Sequence, residues 1–490
     1  MTSTSLSLLQ NNSANNIGQD LYNSSQPQFS FFKYVLRRNT NFFNANFDIY
    51  NKTHNITNLE HINDPIEIKK DISGDVDLLS NLYISFYLPD IYSSNKYKFK
   101  WVENIGALLI KEAIFTINGT DIDSFTGEWL CIWNELTSPV KDTFNKVSGN
   151  SIETNNPKND DNILRIRNNI ISEFDYPISD KNNLNNKPSI AGKWVSVQLP
   201  FWFSKSPSLA LPIFGKVWEL NSFYLKINFE NIENLYTVYS DVYNMNISPS
   251  HYNNLHNENI SINNFITSTN IGVKITATCI ILDTNEKISL ANDCANTSKV
   301  VYLFETLRIK SDIFNPGSTG IRVMEVDSKF LIKEMIWTLK RSDSITNFNN
   351  ILNYSYNIPF NNEKSILKDA YINWGNKSFI STKESIYYNQ IIPYQVHNTI
   401  PKQGIYLYSF SLLPDKSIHS GSFNSASAIK MNINMTFNPY NPSILDTMYE
   451  KKFNKKYSNE YKVDIRNSLY ITEYNFLTIS QNLINLRYTN

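Results

Sequence analysis

A chain of 490 residues with 45 basic and 45 acidic side chains has no net charge at pH 7, so no global positive field draws it onto phosphate backbones or anionic lipid. Its 29 Phe and 29 Tyr, with 41% hydrophobic and 18% charged residues, exclude a disordered chain and favour pleated surfaces over helices. The length predicts two or three folded units, and three cysteines (Cys131, Cys279, Cys294) without a C-x-x-C pair exclude a disulfide scaffold and read as buried small apolar side chains.

The first sixteen residues lack the basic start and apolar core of a signal peptide, and no apolar run approaches the ~20 residues needed to span a bilayer. The expectation is a soluble protein made in the cytosol. Residues 1–27 are polar and read as an arm that orders only against a neighbour. Period-two alternation then predicts strands at Leu82-Ile84-Phe86-Leu88, Phe223-Leu225-Ile227-Phe229 and Val273-Ile275-Ala277-Cys279-Ile281. The clearest case is Ile429, Met431, Ile433, Met435 and Phe437. Helical spacing is scarce. Its best stretch, Gly127 to Thr137, places Trp129, Trp133 and Leu136 on one face and predicts a short helix capping a sheet. The Asn-, Asp- and Ser-rich stretches 141–193 and 235–268 read as surface loops. About 70 Asn against 14 Gly predict that Asn takes the left-handed corners where Gly would otherwise stand.

Many strands without alternating long helices predict an all-β chain of antiparallel sandwiches. A polar stretch after Leu282 divides it into halves at 28–283 and 298–490, with a linker at 284–297. Each half is longer than the ~100 residues a β-sandwich needs.

Candidate chemistry is sparse. His54, His61, His251, His256, His397 and His419 form no H-E-x-x-H arrangement and no Cys/His metal spacing, and His251 and His256 read as members of a solvated loop. Asp121 and Asp123 beside Gly119 could serve a glycosidase or a calcium site, but read better as a hairpin turn. Gly317-Ser318-Thr319-Gly320 reads as a turn after Pro316, and Arg37-Arg38 beside Phe31-Phe32 as an anchor for the first domain's base or a partner. Asn-x-Ser/Thr sequons such as those at Asn23, Asn118, Asn259, Asn353 and Asn434 are expected by chance in so Asn-rich a chain. No catalytic, cofactor-binding or metal residue is assigned.

Several segments resemble the major capsid proteins of nucleocytoplasmic large DNA viruses. The stretch from Pro27-Gln28-Phe29 through Phe31-Phe32-Lys33 and Arg37-Arg38-Asn39-Thr40-Asn41-Phe42 is similar to that family's opening. Pro200-Phe201-Trp202-Phe203 with Pro207 to Ile213, and Leu282-Asp283-Thr284-Asn285-Glu286, resemble its aromatic cluster and inter-domain link. Tyr388-Asn389, Pro393-Tyr394-Gln395, Gly404 to Phe410, Pro414 and Ser420-Gly421 follow in family order, and Tyr474 to Ile479 with Tyr488-Thr489-Asn490 resembles the family terminus. The chain departs from the family pattern at Ser208, where Gly is usual, and at Phe423 to Ala428.

The resemblance implies two tandem jelly rolls (a double jelly roll) and a homotrimer that forms a pseudo-hexameric capsomer in an icosahedral shell. It also implies contacts with neighbouring capsomers, minor capsid proteins and inner membrane proteins, with no direct nucleic-acid binding and no enzymatic activity. The expected location is the virion, after assembly in the host cytoplasm. Two other readings stay open: a minor capsid or scaffolding double jelly roll, and a jelly-roll carbohydrate-binding protein or hydrolase with exposed aromatics or paired carboxylates along a groove.

Overall fold

The alternating segments form strands in the computed structural model, which describes residues 40–59, 65–68, 76–94, 96–138, 141–151, 179, 181–182, 187–296, 300–315, 320–356, 365–375, 377–425, 430–441, 443–461 and 463–488. In the first half these are β1 (Phe42–Asn55), β2 (Ile66–Glu67), β3 (Leu78–Leu88), β4 (Phe99–Trp101), β5 (Ile110–Ile117), β6 (Thr120–Phe125), β7 (Lys193–Leu199), β8 (Leu211–Pro212), β9 (Phe223–Phe229), β10 (Tyr236–Ser240), β11 (Met245–Ile247) and β12 (Asn270–Leu282). In the second half they are β13 (Val300–Phe314), β14 (Arg322–Val326), β15 (Leu331–Arg341), β16 (Leu367–Trp374), β17 (Lys377–Glu384), β18 (Ile405–Ser409), β19 (Phe423–Asn424), β20 (Met431–Phe437), β21 (Ile465–Ser480) and β22 (Leu483–Leu486).

Topology, rather than strand content, defines the fold. The first half builds one sheet in the order β1-β12-β3-β7 and a second in the order β2-β9-β5-β6; the second half builds β13-β21-β15-β18 and β14-β20-β16-β17. If the eight principal strands of each half are numbered along the chain, both halves give one sheet ordered 1-8-3-6 and another ordered 2-7-4-5. That permutation, with antiparallel pairing, is a jelly roll, and it occurs twice. Among the described residues no strand before 283 pairs with one after 299. Between the halves stands a helix, Thr284–Ala295, with Cys294 buried. All three cysteines are free and buried, as their isolation in the sequence suggests.

The two jelly rolls lie within one compact unit, residues 43–490. The resemblance at 27–39, Arg37-Arg38, the arm 1–27, His61 and Gly317 to Thr319 lie outside the described residues. Both loop expectations need correction: the stretch 141–193 opens with a helix, Lys141–Val147, and most of its remainder lies outside the described residues. The stretch 235–268 contains β10, β11 and a helix, Pro249–His256, because Tyr236, Val238, Tyr243, Ile247 and Tyr252 are buried anchors among its Asn and Ser. The predicted helix Gly127–Thr137 is present with those limits.

Asparagine fills the left-handed corners. Among the described residues, the non-glycine positions with positive φ are all Asn except Gln481, and they include Asn118 in the β5–β6 turn and Asn257 at the end of helix Pro249–His256. The side chain there must tolerate φ 50°. We expect Asn257→Gly to leave unfolding unchanged and Asn257→Val to cost about 1–2 kcal/mol, as read by denaturant titration.

Candidate functional site

The structure concentrates its chemistry where the two jelly rolls meet. The inner strands of the β13-β21-β15-β18 sheet, β21 and β15, are covered on both faces. On β15 every residue from Ile332 to Arg341 is buried. Met335, Trp337 and Leu339 join the interior of the second jelly roll, while Ile336 packs into the hydrophobic cluster that continues from the first. Neighbouring strands alternate in the same way: Leu469 and Ile471 face inward and Tyr470 faces the first half, as do Ile405 and Leu407 on either side of Tyr406.

Against this outer face lies α1 (Gly127–Thr137), which connects β6 to β7. The Thr126 hydroxyl accepts from the Trp129 amide and caps the helix. Its first residue must be glycine, since a Cβ at Gly127 would lie 2.0 Å from the Ala107 carbonyl oxygen. The helix turns Trp129 onto Tyr470, with ring centroids 5.2 Å apart, and Trp133 onto His397 at 6.1 Å. Beside it, Trp202 of the Pro200–Phe203 cluster meets Phe304 at 5.3 Å. The sequence indicated the apolar helix face; that the sheet it caps belongs to the other half was not legible.

Charged groups are threaded through this apolar contact. Glu305 on β13 accepts from Lys205 of the first half at 2.9 Å and from Lys333 on β15. His397 donates one ring nitrogen to Glu334 at 3.0 Å and the other to Asp415. Lys205, Lys333 and protonated His397 thus balance Glu305, Glu334 and Asp415. Burial works against the Glu305 carboxylate, but the two ammonium groups outweigh it and hold its pKa below the usual value. Burial likewise opposes charge on His397, yet Glu334 and Asp415 push it up to about 9. Nearby Asp123 is raised to about 7 by burial, against the pull of Lys205. A further pair, Lys340 and Glu128 at 2.6 Å, joins β15 to the start of α1.

Two other groups of contacts complete the seam. Asn349 donates to the carbonyls of Glu233 and Tyr236 at 2.7 and 2.8 Å, and Ser248 donates to Thr346 O at 2.9 Å. Asn221 bonds the backbone of Asn482 and Ile484 at 2.8 and 3.0 Å.

The remaining sequence candidates are dispersed. His251 is not solvated: it packs against Tyr461 at 5.0 Å, bonds the Tyr243 hydroxyl at 3.2 Å, and burial lowers its pKa to about 4. His256 ends the same helix, stacked on Tyr252 at 4.3 Å. His54 pairs with Tyr50, and His419 with Ser422. Asp121 belongs to the β5–β6 hairpin, accepting from Thr116 at 2.8 Å and Lys226 at 3.0 Å. An open cleft of about 350 Å³ lies beside the seam, lined by Asp121, Asp123, Arg308, Phe330, Glu473 and Tyr488. Sequence reasoning missed Lys205, Glu305, Lys333, Glu334 and Asp415, because Lys333-Glu334 stand in a strand that also carries Thr338, Lys340 and Arg341 and nothing local marks these charges as buried.

The pH dependence follows from the two raised pKa values. His397 binds its proton more tightly in the folded state, so its contribution is full below pH 6.5 and is lost as pH rises through about 9. Asp123 acts in the same direction at lower pH, between 3.8 and about 7, where the folded chain keeps a proton that the unfolded chain has already released, so the fall above pH 7 belongs to His397. The His397 displacement corresponds to roughly 3 kcal/mol. We expect stability to fall between pH 7 and 9.5, and His397→Gln to lose about 2–4 kcal/mol at pH 7 and to flatten that fall. Urea unfolding across this range is the check, and an unchanged slope in the variant would remove His397 from the account.

Comparison with known proteins gives a consistent result. Residues 30–270 match the family model for the N-terminus of major capsid proteins, and residues 296–484 the model for large eukaryotic DNA virus major capsid protein. The major capsid protein of Phaeocystis pouchetii virus is 22% identical over 83% of this chain and 88% of its own length. Probable capsid protein 4 of Acanthamoeba polyphaga mimivirus is 30% identical, over 45% of this chain and 37% of that relative, so the match spans under half of the relative's length. Among solved structures, a chain of the PBCV-1 virus capsid superposes with TM-score 0.62 at 18% identity, covering 94% of this chain and all of its own. Faustovirus major capsid protein gives 0.56 at 11% identity, covering 92% and 93%. At such identities these structures speak for the fold, the double jelly roll.

Proposed function

The chain belongs to the major capsid protein family of large eukaryotic DNA viruses and is a structural component of such a virus's capsid, and we propose that it works as a homotrimer whose six jelly rolls form a pseudo-hexameric capsomer. The observation that carries this reading is the repeated strand permutation joined through a fully packed seam. A subunit that supplies two similar walls at a fixed angle needs two more copies to complete six, and closed cyclic symmetry supplies them.

In this reading residues 28–283 and 298–490 are the two building blocks and 284–297 the element between them, which accords with strand pairing that never crosses 283–299 among the described residues. The capsomer meets neighbouring capsomers at its edges and minor capsid and inner membrane proteins beneath. Balanced charge suits such close packing, because like copies do not repel strongly, and it gives the protein no general attraction to nucleic acid. The protein serves as building material rather than as a catalyst, in keeping with relatives that are structural capsid proteins. Assembly takes place in the host cytoplasm.

Light scattering of the purified protein tests this directly. A stable species of three times 56.7 kDa is expected. A monomer persisting at high concentration would contradict the trimer and favour a partner-dependent minor coat protein.

A further inference from the structure

The two jelly rolls share a topology, so each contact made by one has a defined counterpart in the other. At the seam, the outer face of the second jelly roll's 1-8-3-6 sheet receives α1, which lies between the fifth and sixth principal strands of the first. The counterpart would be the outer face of the β1-β12-β3-β7 sheet receiving the helix between β17 and β18. That helix exists: a π-helical turn, Tyr387–Ile391, continues into Ile392–His397. The whole helical run spans 385–397, against 127–137 for α1. Within one copy this second contact is not made, and the described residues leave both of its surfaces exposed.

The exposed side chains are of the kind that subunit interfaces use. Trp194 is 52% exposed, with Tyr83 and Tyr87 beside it on the sheet, and Tyr394 is 64% exposed, next to Ile391 on the helix. The indole lies across Gly272, where a Cβ would come within 3.2 Å of it, and rests against Tyr87 with ring centroids 5.5 Å apart. Polar groups on the sheet are satisfied among themselves: Ser85 with Ser196 at 2.8 Å, Gln198 with Asn81 at 2.9 Å, and Lys274 with Asp48 at 2.9 Å. An apolar helix side can therefore cover this face without stranding these donors and acceptors. The helix is also continuous with the seam, since its last residue is His397, held there by Glu334, while Ile391 and Tyr394 point away to solvent.

We infer that the Trp194 face of the β1-β12-β3-β7 sheet docks the Ile391–Tyr394 side of the 385–397 helix of a second copy of this chain. The inference rests on the trimer reading above and names the surfaces that close it. The contact is head-to-tail, so each copy offers one surface to each neighbour, and contacts within and between chains alternate around the ring.

The test uses the full chain. Trp194→Glu and Tyr394→Glu should each reduce the solution mass from three chains to one, with circular dichroism unchanged. A flexible bis-maleimide should link chains into covalent dimers and trimers in the double variant Trp194→Cys/Tyr394→Cys and in neither single variant, since Cys131, Cys279 and Cys294 are buried. If both Glu variants keep the parental threefold mass and the double variant gives no interchain link, the inference fails and the trimer stands. Linking by Trp194→Cys alone would overturn it in favour of a symmetric face-to-face contact. A parent chain that is monomeric at every concentration overturns trimer and inference together.

Discussion

Strands that carry buried side chains on both faces have to be covered twice, and β21 and β15, at the middle of the β13-β21-β15-β18 sheet, meet that demand with their own jelly roll on one side and the first jelly roll on the other. The rest of the architecture depends on this. Strands of the first half alternate in burial, as on β9, because only one face needs covering. On β15 the alternation disappears, and with it any option for the halves to separate without exposing Ile336, Tyr470, Leu407 and the indoles of Trp129 and Trp202. Burying a large apolar side chain is worth about 1.5–3 kcal/mol, so a handful of these contacts outweighs the freedom that two independently moving domains would gain.

The charges at the seam do a different job. Ion pairs taken out of water return little net stability, because desolvation cancels most of their attraction, but leaving one partner unmatched is costly. The Lys205–Glu305 and Lys340–Glu128 pairs cross between the halves and are satisfied when these meet in one orientation, whereas Glu334, His397 and Asp415 all belong to the second half and brace the surface that receives Trp133 of α1. Aromatic packing supplies the adhesion, and the ion pairs penalise every other angle. A structural protein of a capsid needs both properties, since a small angular error in one subunit would be passed on to every copy packed against it.

Individual strands were legible because alternation records burial residue by residue: Phe223–Phe229 runs as the pattern implies, and β20 follows from its Met and Ile spacing. The α1 limits and its Trp129/Trp133 face were legible for the same reason. Composition misled where it was averaged over a window. Between 235 and 268 the many Asn and Ser concealed Tyr236, Tyr243 and Tyr252, and His251 was assigned to solvent although aromatic rings enclose it. The seam network was not legible at all, because Lys205 and Glu305 are brought together by the tertiary fold and neither residue's neighbours in the chain record the other. Local pattern fixes which face of an element is buried, and only topology fixes what buries it.

The central claim is that the seam makes the two jelly rolls a single cooperative body, and native-state hydrogen exchange as a function of denaturant tests it most directly. The account predicts that amides of β15 and β21 exchange through the same global opening as those of β3 and β12, with matching denaturant dependence. Exchange of β15 and β21 through a smaller, separate opening that leaves β3 and β12 protected would contradict it.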